Sequence, residues 1–157
     1  MNRYLAYFIS FFTMLTVLLL PNTITQKSIK TAWYNCIRPD ITPPNYVFPV
    51  VWILLYTTIG IGLAQTLILK STYEQNILIG LYIWNLVLNV LWSFIYFGKH
   101  DIIIALFIIL NLIISTMFIL YYTYLLLPIW VFWMLLPYIA WLYFAALLNF
   151  LSALKKC

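Results

Sequence analysis

Residues 33–56, WYNCIRPDITPPNYVFPVVWILLY, begin as a polar segment and continue without a break into a long apolar run. Pro39, Pro43, Pro44 and Pro49 place four prolines within eleven residues of this stretch. Proline fixes φ, removes a backbone donor and biases the preceding residue towards extended geometry. The stretch therefore predicts a stiff, folded loop that leads into a helix. Pro49 would lie in the first turns of that helix, where a missing N–H is best tolerated.

The composition is that of a membrane protein. The chain has 157 residues, of which 66% are hydrophobic and 7% are charged, whereas soluble domains carry about 25% charged residues. Apolar runs long enough to cross a bilayer, which takes about 20 residues, recur on both sides of the quoted stretch. We predict an all-α integral membrane bundle of five transmembrane helices in a single domain, residues 1–157. The predicted helices are 4–20, 46–69, 77–97, 101–124 and 128–154, and the predicted polar loop is 21–45.

The basic residues predict an orientation. In a five-helix topology, six of them lie on the side of the first loop and the C-terminus, and two lie on the other side. The positive-inside rule then places the first loop and the C-terminus in the cytoplasm and the N-terminus outside. Because these residues are spread over short loops, the formal charge of +5 does not indicate a nucleic-acid partner. The six are Lys27, Lys30, Arg38, Lys99, Lys155 and Lys156, and the two are Arg3 and Lys70.

No Asp, Glu, Lys or Arg lies in the middle of a predicted span. Ion-coupled pumps normally need ionisable residues inside the membrane, and acid–base hydrolysis in the bundle would need carboxylates or an embedded histidine. His100, the single histidine, falls in a predicted turn, where we expect a structural role, with a lone axial haem ligand as the alternative. We therefore expect no metal site, no required cofactor, and a binding protein rather than an enzyme.

Three helix faces combine large aromatic side chains with hydrogen-bonding groups. At about 100° per residue, the members of each face lie on one side of their helix. Asparagine and serine can also join membrane helices while aromatics fill the core, which is the stronger interpretation for any single residue. As a set, the three faces predict an aromatic small-molecule pocket between the helices. They are Phe48, Trp52, Tyr56 and Leu63; Tyr82, Asn85, Asn89, Trp92, Ser93 and Tyr96; and Tyr138, Trp141, Ala145, Leu148 and Asn149.

Four segments of the chain carry a family resemblance. They are WYNCIRP at 33–39, PPNYVFPVVWILLY at 43–56, NLVLNVLWSFIYFG at 85–98 and LLPYIAWLYFAALLN at 135–149. By these segments the chain resembles the tryptophan-rich sensory protein and peripheral-type benzodiazepine receptor family (TspO/MBR, the translocator proteins). The resemblance implies a bundle of five membrane helices, commonly dimeric, so that a homodimer is expected. It also implies a tetrapyrrole pocket under the first loop, and in eukaryotic members sterol or benzodiazepine-type ligands.

The resemblance also implies roles for individual residues. Trp52 and Trp141 match the two pocket tryptophans implicated in light-dependent porphyrin breakdown, which makes them the candidate catalytic residues. Asn89 and Ala145 match residues that line the family's ligand site, and Trp33 belongs with the double proline to its loop signature. With the helix faces, the predicted ligand-binding set is Trp33, Pro43, Pro44, Phe48, Trp52, Asn85, Asn89, Trp92, Tyr138, Trp141 and Ala145.

The leading hypothesis is a membrane receptor or sensor for porphyrins and related tetrapyrroles, in contact with membrane lipid. The anionic propionates of such a ligand suit Lys27, Lys30 or Arg38 at the pocket mouth. The alternatives are light-dependent porphyrin degradation, passive transport of a tetrapyrrole or lipid, and a structural subunit whose aromatics only pack. The residues predict the aromatic pocket, and the resemblance names its occupant.

Overall fold

The computed structural model describes residues 1–156, and within that range it contains helices and no strand. Residue 157 of the predicted domain lies outside the described range. Five helical segments are long and apolar enough to cross a membrane, which confirms the predicted all-α membrane bundle. These segments are Arg3–Ser28, Val47–Ile68, Tyr73–Gly98, Ile102–Leu126 and Ile129–Leu154.

Two of the five spans contain more than one helical element. The first span divides into α1 and α2, and the third ends in a π-helical turn, Phe94–Gly98, that continues α5. In chain order the α-helices are α1 (Arg3–Leu19), α2 (Asn22–Ser28), α3 (Ala32–Ile37), α4 (Val47–Ile68), α5 (Tyr73–Ser93), α6 (Ile102–Leu126) and α7 (Ile129–Leu154).

The segment predicted as a polar loop, 21–45, contains the two short helices α2 and α3. The first turn of α3 is capped by Thr31, whose Oγ1 accepts a hydrogen bond from Tyr34 N at 3.3 Å. After α3, the Arg38 guanidinium donates from Nη2 to the carbonyls of Thr42 (3.3 Å) and Pro43 (2.9 Å). Polar sequence without apolar periodicity indicated a loop here, but caps and packing on the bundle stabilise helices this short.

Helix α5 begins at Tyr73, four residues before the predicted start at 77. The N-cap is Thr72, whose Oγ1 accepts from Gln75 N at 3.2 Å. The Gln75 side chain then donates from Nε2 to Thr66 O (2.9 Å) and Leu69 O (3.3 Å), the carbonyls at the end of α4. The polar residues that indicated a link therefore belong to the helix, where they satisfy backbone groups of its neighbour.

Small residues allow the helices to pack closely at the centre of the bundle. Helix α4 packs against α1, α5 and α7, and α6 packs against both α5 and α7. A Cβ atom added at Gly60 would lie 2.9 Å from Met14 Cγ on α1, and one added at Gly62 would lie 2.5 Å from the Tyr82 hydroxyl on α5. Gly60 and Gly62 therefore permit the close contact of α4 with α1 and α5.

Gly62 provides a test of this packing. We expect Gly62→Ala to lower the free energy of unfolding by about 1–3 kcal/mol, because the new methyl group displaces the Tyr82 phenol. Gly80→Ala is the matched control, since a Cβ at Gly80 meets no atom within 4 Å. The measurement is thermal unfolding in detergent. Equal melting temperatures for the two variants would contradict the close contact, whereas recovery in Gly62→Ala/Tyr82→Phe would identify the hydroxyl as the obstacle.

Candidate ligand-binding site

A cavity of about 300 Å³ lies at the end of the bundle that carries the first loop. Its volume is at the lower end of the range of about 300–1,000 Å³ that is typical of small-molecule sites. Helices α1, α2, α4, α5 and α7 all contribute to its wall. The lining residues are Val17, Leu18, Leu19, Pro21, Asn22, Thr25, Gln26, Ile29, Tyr34, Asn45, Phe48, Pro49, Trp52, Ile53, Tyr56, Asn89, Trp92, Ser93, Phe97, Trp141 and Ala145.

Aromatic rings from α4 and α7 form one wall of the cavity. The Trp52 indole stacks on the Tyr56 ring one turn further along α4, with 5.3 Å between ring centroids and 26° between planes. Trp141 on α7 meets Trp52 edge to face, at 6.5 Å and 90°. Phe48 also meets Trp141 edge to face, with 5.8 Å between ring centroids and 67° between planes. Because residues one turn apart share a helix face, the α4 sequence places these rings together.

The wall formed by α5 is fixed by hydrogen bonds to α7. Trp92 donates from Nε1 to Asn149 Oδ1 at 3.0 Å, and its ring stacks on Tyr96 at 5.1 Å. The Tyr96 hydroxyl in turn bonds Ser152 Oγ at 2.8 Å. Phe97, which lies in the π-helical turn, packs edge-on against Trp92 at 5.8 Å. The Trp92 indole is therefore held at a defined position beside the cavity.

At its inner end the cavity meets a network of buried polar side chains. Asn89, which lines the cavity, donates from Nδ2 to the Tyr138 hydroxyl at 2.7 Å. Tyr138 donates to Asn85 Oδ1 at 2.6 Å. Asn85 donates from Nδ2 to Ser115 Oγ at 2.7 Å and to Thr116 Oγ1 at 3.0 Å on α6. The network therefore joins α5, α6 and α7 directly behind the cavity.

The cavity opens to the surface beside α2, between the end of α1 and the start of α4. Leu19 at the end of α1 and Ile53 on α4 both line it, and their side chains are 54% and 51% exposed. Helix α2 covers the adjoining side through Asn22, Thr25 and Gln26. Both exposed residues belong to membrane-spanning segments. Beside the short helix of the first loop, the exposed rim also includes the polar side chains of Asn22, Gln26 and Asn45.

Six of the predicted site residues lie on the cavity wall, and five lie elsewhere. The six are Phe48, Trp52, Asn89, Trp92, Trp141 and Ala145. Asn85 and Tyr138 lie behind Asn89 in the polar network. Pro43 and Pro44 lie in the proline turn that Arg38 closes. Trp33 stacks on His100 at 3.8 Å and 17°, and it contacts Tyr96 edge-on at 6.0 Å.

His100 has a structural position at the turn between α5 and α6. Its φ angle of 58° is in the left-handed region, which is unusual for a residue other than glycine. This conformation reverses the chain between the π-helical turn and Asp101, whose Oδ1 accepts from Ile104 N at 2.9 Å and caps α6. The stacked Trp33–His100 pair thereby attaches α3 to this turn.

Several wall residues were missed in the sequence analysis. The predicted site did not include the end of α1, with Val17 and Leu18, and the prediction assigned α2 to the polar loop 21–45. The sequence NTITQKS of α2 has no apolar periodicity, so only its position next to a membrane span could have indicated a role in a cavity. By contrast, the three cations expected at the pocket mouth are not among the lining residues; they are Lys27, Lys30 and Arg38.

These features define a multi-pass helical membrane protein with an aromatic cavity between its helices and beneath the first loop. Residues 9–154 match the TspO/MBR family, and the chain belongs to that family.

Three relatives show the extent of the similarity. The chain is 32% identical over 143 residues to "Tryptophan-rich protein TspO" of Archaeoglobus fulgidus, covering 80% of each chain. It is 34% identical over 130 residues to "Protein CrtK" of Rhodobacter capsulatus, covering 76% of this chain and 75% of the relative. It is 30% identical over 131 residues to "Tryptophan-rich protein TspO" of Chlorobaculum tepidum, covering 82% of each. The family resemblance drawn from the sequence is thereby confirmed.

The polar network predicts a difference between two asparagines. Asn85 is 1% exposed, and Asn85→Leu would leave Tyr138 and two α6 hydroxyls without their amide partner. We expect it to cost about 1–2 kcal/mol of stability. Asn111→Leu is the control, because Asn111 is exposed and its side chain bonds Phe107 O on its own helix. Thermal unfolding in detergent would compare the two, and equal losses would contradict the structural role of the network.

Proposed function

We propose that this protein is a membrane receptor or sensor that binds tetrapyrroles, with the macrocycle in the cavity between α4, α5 and α7. The observation that supports this most strongly is the convergence of Trp52, Trp92 and Trp141 from three helices on one cavity. A porphyrin is broad, flat and aromatic, so indole faces and edges at several angles suit it better than aliphatic walls would.

The energetics are compatible with micromolar binding. Burial of apolar surface contributes about 25 cal/mol per Å², so covering a few hundred Å² of a macrocycle contributes several kcal/mol before association costs. The inner end of the cavity offers the side chain of Asn89 as a polar contact. A few oriented polar groups in an apolar wall are typical of small-molecule sites.

A second candidate function is light-dependent breakdown of the bound porphyrin. The observation that favours it is the edge-to-face contact of Trp52 and Trp141, 6.5 Å apart, with both rings on the cavity wall. Two oxidisable indoles would then lie beside a photosensitising ligand. Passive transfer of a tetrapyrrole would use the same cavity and differs only in whether the ligand leaves on the other side of the membrane.

The binding proposal and its photochemical alternative can be tested together. Protoporphyrin is titrated into purified protein in the dark, and the Soret band is then followed under illumination in air. We expect Trp52→Phe and Trp141→Phe to keep most of the dark binding, because an aromatic face remains, and to slow the light-driven loss of the Soret band severalfold. Trp133→Phe is the control, since Trp133 is 62% exposed on α7 and is not a wall residue.

The outcomes separate the candidates. No saturable binding to folded protein would overturn the proposed function and leave the aromatics as packing residues. Binding with unchanged photodegradation in both variants would exclude the chemical role of the two indoles. Loss of binding in both variants, but not in the control, would make them determinants of affinity.

We also propose that the first loop and the C-terminus face the cytoplasm, as the distribution of basic residues predicts. Lys155 Nζ lies 3.5 Å from Asp40 Oδ1, so the first loop and the end of α7 occupy the same end of the bundle. A reporter that is active only in the cytoplasm should therefore function when fused to the C-terminus. Activity of an export-dependent reporter at that position would reverse the assignment.

A further inference from the structure

A shallow groove, separate from the aromatic cavity, lies between the turn that joins α5 to α6 and the last turn of α7. Its volume is about 380 Å³, and none of its residues lines the aromatic cavity. Because the turn connects two membrane-spanning segments, the groove lies where a membrane helix meets the aqueous interface. The lining residues are Lys99, His100, Asp101, Ile102, Ile103 and Ala153.

The turn supplies this groove with a cation and a hydrogen-bond donor. Lys99 is exposed and forms no ion pair within residues 1–156, where the ion pair at this end of the bundle joins Lys155 to Asp40. His100 is also exposed, and its ring offers at least one N–H donor in either protonation state. The left-handed φ of 58° and the stacked Trp33 ring fix the position of that imidazole next to Lys99. The two side chains therefore suit an anionic group such as a phosphate.

The carboxylate of Asp101 is the opposing charge in the groove. Its Oδ1 accepts a hydrogen bond from Ile104 N at 2.9 Å at the start of α6, where the helix dipole offsets part of its charge. Lys27 adds a cation nearby, since it lies one turn after Ile24 on α2, and Ile24 Cγ2 is 3.4 Å from a Cβ placed on Gly98. At this end of the bundle, six cationic side chains outnumber two carboxylate side chains. The groove therefore lies in a positive field.

The part of the groove formed by α6 is apolar and continues onto the lipid-facing surface. Ile103 lines the groove and is 55% exposed, and Phe107, one turn further along the same face, is 64% exposed. Both belong to the membrane-spanning segment. Asn149 on α7 donates from Nδ2 to Ile102 O at 2.9 Å, so α6 and α7 are joined where the groove lies. A ligand that fills the whole groove therefore has an anionic head and an apolar chain.

We propose that this groove binds the headgroup of an anionic phospholipid, with the phosphate at Lys99 and His100 and an acyl chain along Ile103 and Phe107. Basic pockets between membrane helices are a recurring form of site for anionic lipids. The inference is independent of the proposed tetrapyrrole function, because the two sites share no residue. In the topology proposed above, the groove faces the cytoplasmic leaflet, whose surface potential is negative.

Native mass spectrometry of the full chain in a non-ionic detergent measures this preference. Phosphatidylglycerol and phosphatidylcholine with identical acyl chains are added in equal amounts, and the bound fraction of each lipid is compared. We expect a ratio of about ten in favour of phosphatidylglycerol at low salt, and a ratio of about two in Lys99→Gln, because one basic residue near the surface contributes about fivefold. Lys99→Arg keeps the charge and should keep most of the preference.

Lys30→Gln is the matched control, because Lys30 is exposed at the same end of the bundle and does not line the groove. It should change the ratio by less than about twofold, since the effect of a charge outside the groove is screened. Equal retention of the two lipids by the unmodified protein would overturn the proposal. A ratio in Lys99→Gln no lower than that in Lys30→Gln, with unchanged melting temperatures, would also overturn it and assign any preference to the diffuse charge of this end.

The deacylated headgroup, glycerophosphoglycerol, distinguishes a lipid site from a site for soluble phosphates. At about a tenfold molar excess over the lipid it should displace little phosphatidylglycerol, because it has no acyl chain to bury against Ile103 and Phe107. Displacement of most of the bound lipid at that excess would overturn the assignment to a phospholipid.

Discussion

Polar side chains within the hydrocarbon core of a membrane need hydrogen-bond partners inside the protein. The network of Asn85, Asn89 and Tyr138 provides such partners between three helices, α5, α6 and α7. An unpaired amide at this depth would be costly, so each member fixes the position of the next. The network lies directly behind the cavity, and Asn89 belongs to both. Hydrogen bonds therefore join three helices at the inner end of the cavity, next to its aromatic walls.

The outer end depends on a different set of contacts. The short helix α2 packs on the π-helical turn that ends the third span, and α3 is attached by the stacked Trp33–His100 pair. Between α3 and α4, the Arg38 guanidinium closes the proline turn. The first loop is thus a structured cover, and the prolines that stiffen it also fix where α4 begins. Trp52 lies one turn after Pro49 on α4. The proline-rich stretch 39–49 therefore also determines how far below the first loop the Trp52 indole lies.

Much of this architecture could be predicted from the sequence, because hydrophobic length and helical periodicity are strong signals in a membrane. The five spans follow from composition, and the shared faces of α4, α5 and α7 place Trp52, Asn89 and Trp141 around one space. The contribution of α2 could not be predicted, because a seven-residue polar helix is stabilised by what it packs on and not by its own pattern. Helical periodicity likewise could not distinguish the roles of Asn85 and Asn89, because the two lie one turn apart on the same face. Asn85 bonds α6, whereas Asn89 lines the cavity.

The chemistry of the buried groups favours binding over pumping. Every polar side chain in the network is an amide or a hydroxyl, and such groups do not ionise near pH 7. Among residues 1–156, Asp, Glu, Lys and Arg occur only at the ends of the five long helices or in the segments between them. The network therefore keeps its own charge near pH 7, so the ionisation of these groups does not couple the cavity to a proton gradient. In the function we propose, such a site responds to the concentration of its ligand, which is the property that a membrane receptor or a passive carrier requires.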